Sequence, residues 1–361
     1  MADTFDNLQV RLINPENYRD DIMRLLMEVF REEIDAEEFS WKYERIPYGP
    51  MCVWGVWDLD SQKMIAAFSA YKRFFIHNSK IITAYQQADA AVHKDYRGKG
   101  IFSLLINEIT AHARKEGALF HFGYTNDLSS KVMRKHEDAR ELYVSDVFVF
   151  LNGSRDFAQT YLRLRGLLCN TVSRLGTPVI RAYNYFKGFL KAPMNCYLEP
   201  LHSFEDYPEE WSFNLARSHC VFPFRDKAFL QWRAIDVPKK LAMDLLPFWC
   251  VENGRKIGYC VLYRDKKRNI IKLIDLLSDE GEDLRKCVSM VRYYAVQNNY
   301  DAITTNVASR IYQDAFQREG YLKVKKVRAT VFLLDKVNFS DCGFDDSFWM
   351  QFPIDRDNFR Y

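Results

Sequence analysis

The chain has 361 residues, of which 48% are hydrophobic and 27% are charged, a composition typical of globular proteins with substantial buried cores. Its formal net charge of +3 is too small to indicate nucleic-acid binding, and no apolar run is long enough to span a bilayer. The first residues have neither a positive start nor an apolar core, so we expect no signal peptide and a cytoplasmic protein. The eight cysteines are scattered without a CxxC pair, which predicts free thiols and no metal site.

Strands and helices alternate over residues 1–152, which we predict to form an N-terminal domain. Hydrophobic periodicity predicts a strand at 8–14, helices at 16–31 and 35–44, and strands at 50–58, 63–77 and 80–93. A helix to about residue 116, a strand at 118–125, a short helix at 128–136 and strands at 142–151 follow. This order predicts an α/β fold whose mixed, mostly antiparallel sheet is flanked by helices.

Residues 153–195 break this pattern, and we predict a basic helical linker interrupted near Gly176-Thr177-Pro178. The segment carries one acid, Asp156, against seven basic residues: Arg155, Arg163, Arg165, Arg174, Arg181, Lys187 and Lys191. Its apolar stripe comprises Tyr161, Leu164, Leu167, Leu168 and Val172. The stripe either contacts anionic lipid, which gives a peripheral membrane contact through 154–192, or is buried as a bridge between two domains. We favour the bridge, because amphipathic helices are usually packed.

Residues 196–340 are predicted to form a second α/β domain that repeats the first, followed by a tail at 341–361. Four similarities occur in the same order along the two parts of the chain. They pair 38–42 with 229–233, 52–56 with 247–251, 65–71 with 257–263, and 125–126 with 305–306.

The most informative motif is the run Arg97-Gly98-Lys99-Gly100. It follows an apolar strand that ends near Val92, and it precedes a helix whose apolar residues fall at helical spacing. Free amides and the dipole at a helix start favour an anion, and glycines let a phosphate approach the backbone. The sequence therefore predicts a pyrophosphate site and a nucleotide-like cofactor.

This motif resembles motif A of the GNAT acetyltransferase superfamily, whose Q/R-x-x-G-x-G/A loop wraps the pyrophosphate of acetyl-CoA. Val92, Arg97 and Gly100 match the pattern, whereas Phe102 stands where a second small residue is usual. The resemblance implies two GNAT-like domains, of which the second is degenerate, and acetyl-CoA as co-substrate. The cofactor-binding residues that it implies are Val92, Arg97, Gly98, Lys99, Gly100, Ile101, Phe102, Ser103 and Asn126.

The resemblance also implies direct transfer of an acetyl group to a primary amine in a ternary complex, which requires a general base. Asp89 on the predicted strand is our candidate, although it equally fits a carboxylate that holds a neighbouring group in place. The family often has a tyrosine as the acid where this chain has Met133. Asn126 fits either a contact to pantetheine or a helix cap.

The second domain has acidic residues where the first has Arg97 and Lys99, since its corresponding loop reads Asp279-Glu280-Gly281-Glu282-Asp283. Negative charge repels a pyrophosphate, so we expect the second domain to shape the acceptor pocket instead of binding CoA. The expected acceptor is a small-molecule amine, with an amino sugar as one candidate. Two other functions stay open, a Fem-like aminoacyl transferase and a non-catalytic CoA-binding scaffold. The sequence predicts no particular oligomeric state.

Overall fold

The computed structural model describes residues 7–31, 33–123, 131–136, 139–160, 162–217, 219, 221–278, 281–307 and 309–334. Asn126, the acidic residues Asp279 and Glu280, and the tail at 341–361 lie outside this part of the chain. The described residues form a mixed α/β fold in which helices flank a mostly antiparallel sheet, as the sequence predicts.

The first part of the chain contains strands, α-helices, the 3₁₀ helix Pro15–Tyr18 and further helical residues at 131–133 within the described residues. The strands are β1 (Leu8–Ile13), β2 (Cys52–Asp58), β3 (Lys63–His77), β4 (Lys80–Val92), β5 (Phe120–Gly123) and β6 (Ala139–Leu151). The helices are α1 (Arg19–Phe30), α2 (Ala36–Phe39) and α3 (Ile101–Lys115).

The remaining described elements begin with the linker helices α4 (Arg155–Thr160) and α5 (Gly166–Phe186). The strands are β7 (Cys196–Pro200), β8 (Phe222–Pro223), β9 (Leu245–Glu252), β10 (Arg255–Asp265), β11 (Ile270–Ser278), β12 (Ala302–Val307) and β13 (Leu322–Leu333). The helices are α6 (Glu210–Ala216), α7 (Lys227–Ala234), α8 (Lys239–Ala242), α9 (Gly281–Gln297) and α10 (Arg310–Arg318).

All these strands belong to one continuous sheet, in the order β1-β2-β3-β4-β5-β13-β6-β12-β11-β10-β9-β7, with β8 paired to β3. The order contains an exchange of strands, because β13 inserts between β5 and β6 while β6 pairs with β12. Two pairs are parallel, β4 with β5 and β11 with β12, and the other pairs are antiparallel. The predicted boundary near residue 152 therefore separates segments whose strands are hydrogen-bonded to each other.

Local sequence explains the elements that lead to the motif. In α1, Ile22, Leu25 and Leu26 are buried at helical spacing, and the helix ends at Arg31 in a left-handed conformation. The β3–β4 hairpin turns at Asn78 and Ser79, whose φ angles of 49° and 58° suit a tight two-residue turn.

Two of the repeated segments meet in the core. The indole Nε1 of Trp41 donates to the carbonyl oxygen of Trp232 at 3.0 Å, and Nε1 of Trp232 donates to the carbonyl of Trp41 at 3.0 Å. Both side chains are buried, and their ring centroids lie 5.2 Å apart. This reciprocal contact joins the segment before β2 to helix α7.

The predicted interruption at Gly176-Thr177-Pro178 is wrong, because α5 continues through Pro178. Ser154 contacts the helical turns on the N-terminal side of the proline. Its Oγ bonds the carbonyls of Val172 and Ser173, each at 3.3 Å, and its backbone N bonds Thr177 Oγ1 at 3.2 Å. These contacts clamp the turn that precedes the proline.

The preference for a buried bridge is wrong for Leu167 and Leu168, which are 82% and 67% exposed. Leu164 and Val172 are half-buried, and Tyr161 lies outside the described residues. The helix instead packs through the opposite face, where Cys169 and Asn184 are buried. Within the described residues, no helix is both long enough and apolar enough to cross a membrane.

Candidate functional site

The predicted anion loop lies between β4 and α3, as the sequence indicates. A short 3₁₀ turn at Lys94–Tyr96 follows β4, and Gly98 and Gly100 adopt φ angles of 78° and 84° that favour glycine. The first hydrogen bond of α3 runs from the Leu104 amide to the Gly100 carbonyl at 3.1 Å. The amides of residues 101–103 precede this bond, so they have no acceptor inside the helix and can serve an anion.

Two basic side chains flank these amides. Arg97 is exposed, and its Nε donates to the carbonyl of Val92 at 3.1 Å, which ties the loop to the end of β4. Lys99 is also exposed, and its Nζ lies 4.8 Å from the ring centroid of Tyr96. The Tyr96 hydroxyl in turn donates to Asp58 at 2.5 Å. The loop is thus braced while both cations face solvent.

The structure explains how Phe102 fits at a position where a small residue is usual. Its ring stacks on Phe68 of β3 with centroids 5.3 Å apart, so the side chain packs onto the sheet. Ile101 is 1% exposed in the same core. Ile101 and Phe102 therefore offer the loop their backbone amides, whereas Ser103 also has a hydroxyl.

Only part of β4 is paired with β5 beside the loop. Their parallel pairing covers residues 84–86 of β4 and 120–122 of β5, whereas β4 continues to Val92 and β5 is described to Gly123. A bulge lies beyond this pairing, because Ala88 and Asp89 together stand opposite Ser69 of β3. Ser69 Oγ donates to the Asp89 carbonyl at 3.1 Å. Within the described residues β5 leaves this edge of β4 unpaired, so an extended ligand can hydrogen-bond to it.

A buried series of hydrogen-bonded side chains runs from Thr110 through His121 to Gln87 on β4. Thr110 Oγ1 donates to the Ile106 carbonyl at 2.8 Å and lies 2.9 Å from His121 Nε2. His121 Nδ1 lies 2.8 Å from Gln87 Nε2. Since the threonine hydroxyl proton is used, we assign the His121 proton to Nε2, which leaves Nδ1 to accept from the Gln87 amide. Burial lowers the pKa of His121 to about 3, so the ring is neutral.

Within the part of the chain that the structure describes, this assignment leaves Gln87 Oε1 as a buried acceptor without a hydrogen-bond donor. The oxygen faces Gly123, where an added Cβ would lie only 2.4 Å from it. Sequence analysis missed this contact of Gln87 with His121 and the participation of Thr110. Nothing in the local pattern links these positions, because their contact depends on α3 packing against β5.

Asp89 already has two partners. Its Oδ2 accepts from Lys42 Nζ at 2.6 Å and from the Tyr43 hydroxyl at 2.5 Å, and its side chain is 20% exposed. Lys42 and Tyr43 belong to a π-helical turn at Ser40–Glu44 that precedes β2. The sequence anticipated a structural role for Asp89 as its alternative, but it did not identify these partners, which lie far away along the chain.

A cavity of about 420 Å³ lies on the other side of the loop, lined by Glu28, Val29, Arg31, His93, Lys94 and Arg97. His93 Nε2 pairs with Glu28 at 2.8 Å. The cavity brings Arg31 and Lys94 close to Arg97 and extends the basic surface.

The second part of the chain contains a similar short pairing of parallel strands, but side chains there occupy backbone carbonyls of the longer strand. Strands β11 and β12 pair only at 270–272 and 302–304, and Ile274 bulges opposite β10. Here Tyr312 of α10 donates to the Leu276 carbonyl at 3.1 Å, and Thr305 donates to the Leu273 carbonyl at 3.0 Å. These hydroxyls satisfy backbone acceptors of β11 that a ligand would otherwise use.

The start of α9 differs from the start of α3 in charge. Asp283 lies in its first turn and pairs with Arg255 and Lys286, each at 3.2 Å. This acid and its partners stand where the first part of the chain has an exposed glycine loop. The second part of the chain therefore differs from the first in two ways, in the negative charge at the helix start and in the β11 carbonyls that already accept hydrogen bonds.

The structure describes Met133 but not Asn126, the two positions that the sequence analysis considered after β5. Met133, which replaces the family's tyrosine, is 3% exposed and packs in the same core as Ile101. Asn126, together with Ser129 and Ser130, lies outside the described residues.

Comparison with known proteins gives a family for the first part of the chain. Residues 9–131 match the family model described as an acetyltransferase (GNAT) domain. No curated protein matches the sequence.

Solved structures resemble the chain over most of its length. A probable N-acyltransferase of unknown function from Enterococcus faecalis V583 has 10% identity and a TM-score of 0.64, with 92% of this chain and 74% of that one covered. A GCN5-related N-acetyltransferase from Anabaena variabilis has 12% identity and a TM-score of 0.62, with the same two coverages, 92% and 74%. Saccharomyces cerevisiae N-myristoyltransferase with bound myristoyl-CoA has 15% identity and a TM-score of 0.57, covering 91% and 83%. At these identities the likeness establishes a shared fold.

Proposed function

We propose that this GNAT superfamily protein, whose family match lies at residues 9–131, is a CoA-dependent acyltransferase that moves an acetyl group to a primary amine. The observation that carries the proposal is the loop Arg97–Gly100 at the start of α3, beside the open edge of β4. A glycine loop with free amides and two exposed cations suits a pyrophosphate. Arg31 and Lys94 provide further positive charge for other phosphates of the co-substrate.

The edge of β4 beyond its pairing with β5 suits the rest of the co-substrate. A pantetheine arm carries amides that can pair with this edge, as an added strand would. Such a placement brings the thioester toward the bulge at Ala88 and Asp89. Gln87 Oε1, which has no donor among the described residues, can accept a hydrogen bond from an amide of the arm or from the acceptor amine.

The proposed reaction is a direct transfer. An ammonium group loses a proton to Asp89 or to water, and the neutral nitrogen attacks the thioester carbonyl carbon. A C–N bond forms, the C–S bond breaks, and the CoA thiolate takes the second proton from nitrogen. Backbone amides near the bulge are suited to stabilise the oxyanion. For Asp89 to accept the proton, the hydrogen bonds from Lys42 and Tyr43 must orient its carboxylate toward the amine.

We propose that residues 196–340 are a degenerate second GNAT-like domain that does not bind CoA. The strand order supports a repeat, because β1-β2-β3-β4-β5-β13 corresponds element by element to β7-β9-β10-β11-β12-β6. The bulge and the short parallel pairing recur in β11 and β12, where Tyr312 and Thr305 fill the backbone acceptors.

Titration calorimetry with acetyl-CoA and with CoA tests the co-substrate. We expect one site per chain, and we expect Arg97→Glu to weaken binding at least tenfold, since it replaces an attractive charge by a repulsive one. Lys80→Glu is the matched control, because Lys80 is an exposed cation at the opposite end of β4. Equal binding by the Arg97 variant, or no binding by the wild type, would refute the proposed site.

A second experiment separates an enzyme from a CoA-binding scaffold, which the burial of Met133 favours as the other candidate. Acetyl transfer from acetyl-CoA is measured across amino sugars, polyamines, amino acids and peptide N-termini. We expect turnover with one class of amine and loss of turnover in Asp89→Asn with CoA binding retained. Binding without turnover on every amine would support the scaffold, whereas a Fem-like aminoacyl transferase would give no CoA binding.

A further inference from the structure

We propose that the exposed face of α5 docks the protein onto an anionic membrane surface. This inference is independent of the proposed acyl transfer, because it rests on the linker helix and not on the loop at Arg97.

The exposed face of α5 is unusually apolar. Leu168, Leu175, Val179 and Phe186 are 67%, 71%, 68% and 85% exposed. Their spacing of seven, four and seven residues places them on one side of the helix. Leu167, Tyr183 and Tyr185 are also exposed nearby. An exposed apolar stripe of this kind marks an interaction surface.

The opposite face fixes the helix to the fold. Cys169 and Asn184 are buried, and Asn184 Nδ2 donates to the carbonyl of Leu151 at 2.8 Å. An added Cβ on Gly176 would lie 2.8 Å from Ser154 Oγ, so this side of the helix approaches the segment before α4 closely. The helix cannot turn its leucines inward without breaking these contacts.

The positive charge of the linker favours an anionic partner. Residues 157–195 contain no aspartate or glutamate but six basic residues, Arg163, Arg165, Arg174, Arg181, Lys187 and Lys191. On the helix, Arg174 and Arg181 lie seven residues apart and both are exposed, and Arg181 Nε also donates to the Asn152 carbonyl at 3.3 Å. Contact of this face with a second copy would place like charges together, whereas an anionic bilayer surface complements them.

The length and composition suit a helix that lies in the plane of the membrane. The 21 residues of α5 span about 30 Å, enough to lay the stripe along the surface. Apolar side chains would enter the acyl boundary while the arginines contact lipid phosphates. Tyr183 and Tyr185 have the amphipathic rings that favour this interface.

The test is co-sedimentation of the full chain with phosphatidylcholine vesicles that contain or lack phosphatidylserine. We expect binding to the anionic vesicles alone, and weaker binding as salt increases. The triple variant Arg163→Glu, Arg165→Glu, Arg174→Glu should reduce partitioning by about a hundredfold or more. A second triple variant, Leu168→Gln, Leu175→Gln, Phe186→Gln, should reduce it by a similar factor.

Two control variants make the same kinds of substitution at exposed positions outside the linker. Met243→Gln removes an apolar side chain that is 65% exposed outside the linker, and Lys80→Glu reverses an exposed cation on β4. Both should bind vesicles as the wild type does, and circular dichroism should show an unchanged fold in all variants. Equal binding to neutral vesicles, or no binding to anionic ones, would overturn the proposal. A dimer in solution that the Leu168, Leu175, Phe186 variant dissociates would assign the face to a second copy and would also overturn it.

Discussion

The reciprocal hydrogen bonds between Trp41 and Trp232 should contribute strongly to stability, and Trp41→Phe tests this. The substitution removes one indole donor and leaves the Trp232 carbonyl buried without it. An orphaned buried acceptor costs about 1–3 kcal/mol. The smaller ring removes a further 1–2 kcal/mol, roughly, of buried apolar contact. We therefore expect the free energy of unfolding to fall by about 2–5 kcal/mol, a large share of the usual total.

Urea unfolding followed by far-ultraviolet circular dichroism measures this change without relying on tryptophan emission. Trp54→Phe is the matched control. Trp54 is buried in β2, its ring contacts His112, and the described residues supply no hydrogen-bond acceptor for its indole. The control should lose only the apolar contribution, about 1–2 kcal/mol.

The double variant of Trp41 and Trp232 extends the test. Because each residue both donates to and accepts from the other, the two substitutions should be non-additive, with a coupling of about 0.5–3 kcal/mol. Additive losses, or a Trp41→Phe loss no larger than that of Trp54→Phe, would refute the argument that the hydrogen bonds stabilise this contact.

Three other predictions concern buried polar groups. The pKa of His121 is about 3 when folded against 6.5 as its ordinary value, so the unfolded chain binds more protons between these values. Stability should therefore fall as the pH decreases below 6.5, by up to about 1.4 kcal/mol per pH unit, and His121→Gln should flatten this slope in urea titrations. Arg225→Ala should cost about 3–5 kcal/mol in thermal or urea unfolding, because it strands the fully buried carboxylate of Asp275; a loss below about 1 kcal/mol would contradict this. Tyr312→Phe should cost about 1–3 kcal/mol by leaving the Leu276 carbonyl unpaired, and an unchanged urea midpoint would show that water replaces the hydroxyl.

Local patterns in the sequence were sufficient for the elements around the motif. The predicted strand at 63–77 matches β3, and the predicted strand at 80–93 differs from β4 by one residue at its end. Gly98 and Gly100 adopt the positive φ angles for which glycine is suited. These features depend on residues close in sequence, where periodicity and turn chemistry act directly.

Contacts between distant segments could not be predicted in this way. The bonds from Lys42 and Tyr43 to Asp89, and the contact of Gln87 with His121, depend on how separate elements pack. The prediction of a helix break at Pro178 is wrong, and the contacts of Ser154 with the preceding turns, which come from outside the helix, were not predictable either. The roles of the residues at the loop stay predictions until ligand binding is measured.

The exchange of β6 and β13 has a consequence for how the protein is made. On a ribosome, β5 emerges about 200 residues before β13, the strand that covers its edge, so the wait is about 10–40 s at ordinary synthesis rates. During that time β5 offers an unpaired edge to other nascent chains. Closing the sheet is then a late, long-range step, so we expect slow maturation and dependence on chaperones during expression. A truncated chain that ends before β13 should aggregate instead of folding as a shorter protein.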